Sequence, residues 1–301
     1  MQPYLYSVKC SSSVVETSGS PRFVHRWVPN SVAPWAALTV VHGFGNHGGR
    51  FAGMGASLAS FGIAVQAIDL IGHGRSPGRR GCIDSYEQLL DDVCVGLHNS
   101  ISGFPSTPQF LFGQSMGGNL ILNLALRRPD AVAGTNGLIV SSPMLRSSEM
   151  PKERIMDAGR WLATKLPNWR IKASVEVTKL SHDRRAQDAY MRDRLVHRTM
   201  SLRLATTLVD SGVWALENAA SLQCRTLLMH GTDDTLTCPK VTRSFADSAS
   251  EFATLKLWHG CRHDLHDDLQ RERVFDYMSR WMKQQCVTTF KFQRSPLAAS
   301  A

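Results

Sequence analysis

The sequence predicts an α/β protein, a mostly parallel sheet with helices on both faces and a helical segment inserted late in the chain. Three observations carry this. Short apolar runs rich in Val, Ile and Leu recur, bounded by Gly, Pro or polar residues, as buried strands are. Amphipathic segments lie between them, the order that gives parallel strands covered by helices. The alternation stops after Val140 and resumes at Arg225.

In chain order, residues 4–8 and 23–28 read as an antiparallel hairpin ahead of the main sheet. Residues 37–41 (ALTVV), 62–68 (GIAVQAI), 109–112 (QFLF), 137–140 (GLIV), 225–229 (RTLLM) and 254–258 (TLKLW) read as buried strands. Residues 119–127 read as a helix. In 274–282, Val274, Phe275, Met278, Trp281 and Met282 fall on one helix face. Residues 143–221 show helices and no convincing strand, so a cap is expected there. It splits a core of 1–142 and 222–288, and 289–301 read as a disordered tail.

Composition removes several classes. The 301 residues are 43% hydrophobic and 20% charged, which excludes a disordered, collagen-like or coiled-coil chain. No run approaches the roughly 20 apolar residues a membrane helix needs. The first 20 residues lack the apolar stretch of a signal peptide. Seven scattered cysteines without a C-x-x-C pair point to a reducing, cytoplasmic setting. The net charge is +9 and concentrates in residues 145–205, which hold 14 Lys and Arg against 7 Asp and Glu. There is no zinc-finger, RNA-recognition or homeodomain pattern, so no nucleic-acid partner is expected.

The QFLF run leads into Gly113-Gln114-Ser115-Met116-Gly117-Gly118 and then a helix, G-x-S-x-G in strand–turn–helix context. Such a turn exposes the Ser115 hydroxyl and sets the following N–H at a helix N-terminus, where it can stabilise an oxyanion. A hydroxyl nucleophile needs a base, and the base needs an orienting acid. Two strand-end loops supply candidates in the order Ser, acid, His. One holds Asp233 and Asp234, the other His259, His263 and His266. His263 sits in the loop between the other two histidines, with the most freedom to reach Ser115. The H-x3-H-x2-H spacing brings no further ligand set, so no metal is expected.

The loop His42-Gly43-Phe44-Gly45-Asn46-His47-Gly48 contains Gly43-x-Gly45-x-x-Gly48, with Asp69 about 20 residues on. Formally this is a dinucleotide fingerprint, which would make the chain a nicotinamide-dependent oxidoreductase. That reading leaves the Ser115 elbow, the paired aspartates and His263 without a purpose.

Taken together, H-G-F-G at 42–45, D-L-I-G-H-G-R-S at 69–76, G-Q-S-M-G-G at 113–118, H-G-T-D-D at 230–234 and H-D-L-H at 263–266 resemble the monoacylglycerol lipase and lysophospholipase group of α/β-hydrolases, the serine aminopeptidase S33-type hydrolases. The resemblance covers about residues 23–286. It implies the α/β-hydrolase fold, with a mostly parallel eight-stranded sheet and an inserted helical cap. It also implies a serine carboxylester hydrolase acting on a lipid ester, monoacylglycerol or lysophospholipid, through an acyl-enzyme and without cofactor. General carboxylesterase, acyltransferase and non-enzymatic binding readings stand beside it. Matched motif to motif, the triad falls on Ser115, Asp234 and His263, and the oxyanion donors on the amides of Phe44 and Met116. Gly43, Phe44, Gln114 and Trp161 are the expected substrate contacts. Where relatives carry a cysteine after the acid, this chain has Thr237, followed by Cys238.

In the cap, Ile155, Ala158, Gly159, Leu162 and Leu166 share a helical face, with Trp161 and Trp169 nearby. Lys152, Arg154, Arg160, Lys165, Arg170 and Lys172 interleave with it. This mixture suits brief contact with an anionic membrane surface.

Overall fold

The computed structural model describes residues 6–17, 19–149, 153–173 and 175–293. Eight strands form one sheet in the order β1-β2-β4-β3-β5-β6-β9-β10. β1 (Val8–Val15) pairs antiparallel with β2 (Arg22–Pro29), and β2 antiparallel with β4 (Ile63–Ile68). β3 (Ala36–Val41), β4, β5 (Gln109–Gln114), β6 (Gly137–Ser141), β9 (Thr226–Gly231) and β10 (Ala253–Trp258) run parallel. Their carboxyl ends therefore share one edge, where open α/β sheets bind ligands.

Residues of β3, β4, β5, β6 and β9 are buried throughout, which is why they read as nearly continuous apolar runs. Alternate side chains feed two cores. Leu111, Leu138, Val140 and Leu228 pack against α2 (Tyr86–Gly103), α3 (Met116–Arg127) and α8 (Pro239–Ser248). Phe110, Phe112, Ile139 and Met229 pack against α1 (Ala52–Ser60) and α9 (Arg271–Gln293). The α9 face expected from the sequence, Val274 through Met282, lies in this second core. Each such fully buried side chain contributes roughly 1.5–3 kcal/mol.

The structure corrects three expectations. The first hairpin strand is not 4–8. β1 begins at Val8 and runs through VKCSSSVV, and residues 1–5 lie outside the described residues. It is a mostly exposed edge strand, so its backbone pairing with β2 defines it rather than side-chain burial. The insertion holds two short antiparallel strands, β7 (Arg170–Lys172) and β8 (Thr199–Ser201), besides α5 (Glu153–Lys165), α6 (Arg184–Arg192) and α7 (Leu202–Glu217). Three residues are too few to show a two-residue period. Finally, α9 continues to Gln293, past the expected core boundary at 288; residues 294–301 of the anticipated tail lie outside the described residues.

Candidate active site

β5 ends at Gln114 and α3 begins at Met116, so Ser115 alone makes the turn, at φ 55° and ψ −113°. That conformation costs about 1–3 kcal/mol and must be held from outside. Its N–H donates to the Ser141 carbonyl, and its own carbonyl accepts the N–H groups of Asn119 and Met144, each at 3.0 Å. A Cβ on Gly117 would stand 2.1 Å from the Val41 carbonyl oxygen, so only glycine lets α3 seat this close to β3. The Met116 N–H is in the first turn of α3, without an intrahelical acceptor and at the positive end of the helix dipole.

The loop after β3 lies directly against this turn. A Cβ on Gly43 would be 2.3 Å from Gln114 Oε1 and 3.2 Å from Ser115 Cβ. Behind it, His42 Nε2 accepts the Leu70 N–H at 3.0 Å, so its proton sits on Nδ1 and is donated to the Gly43 carbonyl at 2.8 Å. Burial lowers the His42 pKa to about 4, which keeps the ring neutral for both bonds. The Gly45 carbonyl accepts the His197 N–H from the insertion.

The dinucleotide reading fails at Asp69. This carboxylate is fully buried, and its two oxygens accept the Gly48 and Arg75 N–H groups at 2.7 Å. It ties two glycine-rich loops together and faces no ribose site.

Burial separates the two paired aspartates. Asp233 is exposed, whereas Asp234 is buried. Asp234 Oδ1 accepts the Leu236 N–H at 2.8 Å and the Thr237 N–H at 3.1 Å. Its Oδ2 faces His263 Nδ1 at 2.8 Å, His230 Nε2 at 2.9 Å and the Thr237 hydroxyl at 2.8 Å. Burial alone would raise the Asp234 pKa. The two imidazoles outweigh it and hold the carboxyl well below the usual carboxylate range. Burial would lower the His263 pKa, and the Asp234 charge beside it raises it instead. The Ser142 hydroxyl donates to the His263 carbonyl at 2.8 Å.

The competing histidines are placed elsewhere. His259 is exposed, and its carbonyl accepts from Gln270. His266 is buried and stacks on Phe51 with centroids 4.4 Å apart.

Ser115 and His263 line one cavity of about 310 Å³, together with Gly43, Phe44, Gln114 and Met116. The insertion supplies apolar walls through Ala173, Val175, Leu180, Met200 and Leu208. Gln114 Nε2 donates to Asp264 Oδ1 at 2.8 Å, and burial raises the Asp264 pKa. The Phe44 ring packs edge-on against His197 and His73, with centroids 5.4 and 6.3 Å away.

Trp161 is the expectation the structure corrects. It does not line this cavity; it is 65% exposed on α5, which buries no residue at all. A helical period says which residues share a face, not which way that face turns. Conversely, His230 was quoted only as a motif member and Thr237 only as the residue standing where relatives carry a cysteine, and both touch the buried carboxylate. The signal was the four-residue spacing of His230 and Asp234 at a strand end, which brings both side chains to one point.

A buried carboxylate orienting a histidine, in a cavity shared with a strained helix-capping serine, can drive acyl transfer without cofactor chemistry. Fold and site together define a serine carboxylester hydrolase of the α/β-hydrolase class. The sequence profile of the Hydrolase_4 family (serine aminopeptidase, S33) matches residues 33–270, and the chain belongs to this family. Among relatives, human monoglyceride lipase is 29% identical over 280 residues, 91% of each chain. An abhydrolase domain-containing protein of Dictyostelium discoideum is 33% identical over 260 residues, 86% of this chain but only 27% of that protein's length. The monoacylglycerol lipase of Paleococcus ferrophilus superposes with a TM-score of 0.75 at 25% identity, covering 93% of this chain and 99% of the other. A soluble variant of the Saccharomyces cerevisiae monoglyceride lipase shares the fold with a TM-score of 0.82 at 21% identity, covering 94% and 97%.

Proposed function

We propose that the protein hydrolyses monoacylglycerols to fatty acid and glycerol through an acyl-enzyme on Ser115. Ser115 Oγ attacks the ester carbonyl, His263 takes its proton and returns it to the leaving glycerol, and Asp234 fixes the imidazole. The amides of Phe44 and Met116 stabilise the tetrahedral oxyanion, and water repeats the cycle to release the acid. The observation that carries the substrate class is the cavity lining. Where the insertion contributes it is mostly apolar, with Ser147 and Tyr190 the polar members, and it contains no Lys or Arg among the described residues. A neutral glycerol ester fits such a wall better than a lysophospholipid with its phosphate. An aminopeptidase would need a free carboxylate for the substrate amine, and Asp264 is already bonded to Gln114. The similarity to proteins named monoglyceride lipase points the same way. Glycerol release from monooleoylglycerol tests the reading. Turnover of monooleoylglycerol well above that of lysophosphatidylcholine is expected, and the reverse order would replace the substrate.

The same reading includes transient membrane contact. Ile155 (61% exposed), Trp161 and Trp169 (58%) stand out from α5 and the chain just after it, among the exposed cations Arg154, Lys165, Arg170 and Lys172; Lys152 lies outside the described residues. Apolar patches of this kind rimmed by cations suit an anionic lipid surface, where each cation contributes about 1 kcal/mol. Among the described residues no helix is long and apolar enough to cross a membrane. All seven cysteines are free, which supports a reducing, cytoplasmic location. Co-sedimentation with phosphatidylserine-containing vesicles should fall about tenfold in the Ile155→Ser/Trp161→Ser double variant. Equal pelleting of variant and wild type would remove the membrane contact from the proposal.

A further inference from the structure

Asp234 faces two imidazoles, and the triad uses only one of them. His230, in β9, is fully buried, and its Nε2 stands 2.9 Å from the same Oδ2 that faces His263. A carboxylate oxygen can only accept, so His230 donates there and carries its proton on Nε2. Its Nδ1 is then an acceptor, and the Thr242 hydroxyl of α8, also fully buried, donates to it at 2.8 Å. The ring is therefore held at both nitrogens. The Thr237 hydroxyl has a single proton and lies closer to Oδ2, at 2.8 Å, than to either imidazole, at 3.2 and 3.3 Å.

Fixing the carboxylate in space does not require His230, because the Leu236 and Thr237 N–H groups already anchor Oδ1. What the second imidazole adds is a second donor on the oxygen that serves His263. A hydrogen bond to an anion stabilises it and weakens its hold on any other partner. From β9 and the chain after it, His263 is faced by Asp234, His230 and Thr237, and from its own loop by Asp264, which is bonded to Gln114. Arg50, His266 and Asp267 act on Asp264, and Ser115 and Tyr190 share the cavity with His263. Of these influences, only that of Asp234 passes through a bond to His230.

We infer that His230, aimed by Thr242, is a positioning residue that shares the Asp234 carboxylate with His263 and so sets how tightly the catalytic imidazole holds a proton. The inference rests on the triad of the reading above, and it is independent of which ester is the substrate.

The test is the pH profile of kcat/KM on a soluble short-chain p-nitrophenyl ester. His230→Leu removes the donor, so the Asp234 charge acts more strongly on His263. The acid limb should then move to higher pH by about one unit, a tenfold change in proton affinity. This is opposite in sign to the move expected when the Asp234 charge itself is removed. His230→Gln keeps an N–H near the place of Nε2 and should leave the limb close to its wild-type position. A residue that only fills space would lower rate or melting temperature in His230→Leu without moving the midpoint. Thr242→Val removes the hydroxyl that aims the ring; a smaller move in the same direction is expected, and Thr242→Ser should reverse it. The wild type gives a further readout, because a ¹H–¹⁵N correlation spectrum should place the His230 proton on Nε2. A midpoint unmoved or lowered in His230→Leu, or a His230 proton found on Nδ1 instead, overturns the inference. If His230→Leu does not fold, Thr242→Val and the His230 tautomer decide it. An Asp234→Asn enzyme that keeps the wild-type rate and profile removes the triad assignment, and the role of His230 with it.

Discussion

Ser115→Ala lowers kcat by about a millionfold, the loss seen when a serine hydrolase is stripped of its nucleophile hydroxyl. The expectation follows from how little else the substitution touches. The three hydrogen bonds that hold residue 115 in its strained turn all use its backbone, so alanine keeps the conformation. Met116 stays at the start of α3, and Gly43 stays against Gln114. The proposed oxyanion donors therefore keep their places, and the melting temperature should match that of the wild type. Labelling by a fluorophosphonate probe should disappear together with ester turnover. A Ser115→Ala protein that kept more than about a hundredth of the wild-type rate would show that another group attacks the ester. The cysteines are poor substitutes: burial pushes the Cys261 thiol up to about 11, and Cys238 does not line the cavity.

How much of this was legible in the sequence depended on how local the cause was. Strands β3, β5 and β6 could be read because both their faces are buried, so each is a nearly continuous apolar run. β1 could not, because a serine-rich edge strand is held by its partner's backbone, 7 to 21 residues away in sequence. The elbow was readable because its glycines answer to contacts within one strand–turn–helix unit. The choice between Asp233 and Asp234 was not available from spacing. Adjacent residues on a strand-end loop point apart; the motif resemblance favoured Asp234, and the fold buries it beside His263. The three donors on Asp234 Oδ2 come from β9, the chain just after it and the loop after β10, a convergence that needs the sheet order β9-β10. Trp161 failed for the opposite reason. It was expected to contact substrate, whereas the face of α5 that carries it turns to solvent.

Asp234→Asn is the second large effect, and its size comes from hydrogen-bond bookkeeping around one buried group. The carboxylate accepts five bonds: two backbone N–H groups on Oδ1, and His263, His230 and Thr237 on Oδ2. An amide has one acceptor oxygen and one donor nitrogen. If its oxygen keeps the backbone bonds, the NH₂ group confronts two imidazole N–H donors. His263 then carries its proton on Nε2, the wrong tautomer to receive one from Ser115. If the amide flips, its NH₂ meets the Leu236 and Thr237 N–H groups instead. Either arrangement leaves buried donors unpaired, at about 1–3 kcal/mol each, so stability falls along with rate. A kcat loss of about 10⁴-fold is expected, as for the equivalent change in other triads. The pH profile gives an independent reading. The Asp234 charge raises the His263 pKa, and the ring must be neutral to accept a proton. Wild-type kcat/KM should therefore fall, as pH drops, with a midpoint above the ordinary histidine value of about 6.5. In Asp234→Asn that charge is gone and only the smaller pull of Asp264 opposes burial on the ring, so the residual activity should lose its acid limb at lower pH than the wild type. Asp233→Asn, at an exposed neighbour, should leave both rate and profile unchanged. An Asp234→Asn enzyme within tenfold of the wild type, or one whose acid limb does not move, would take the acid's role away from Asp234.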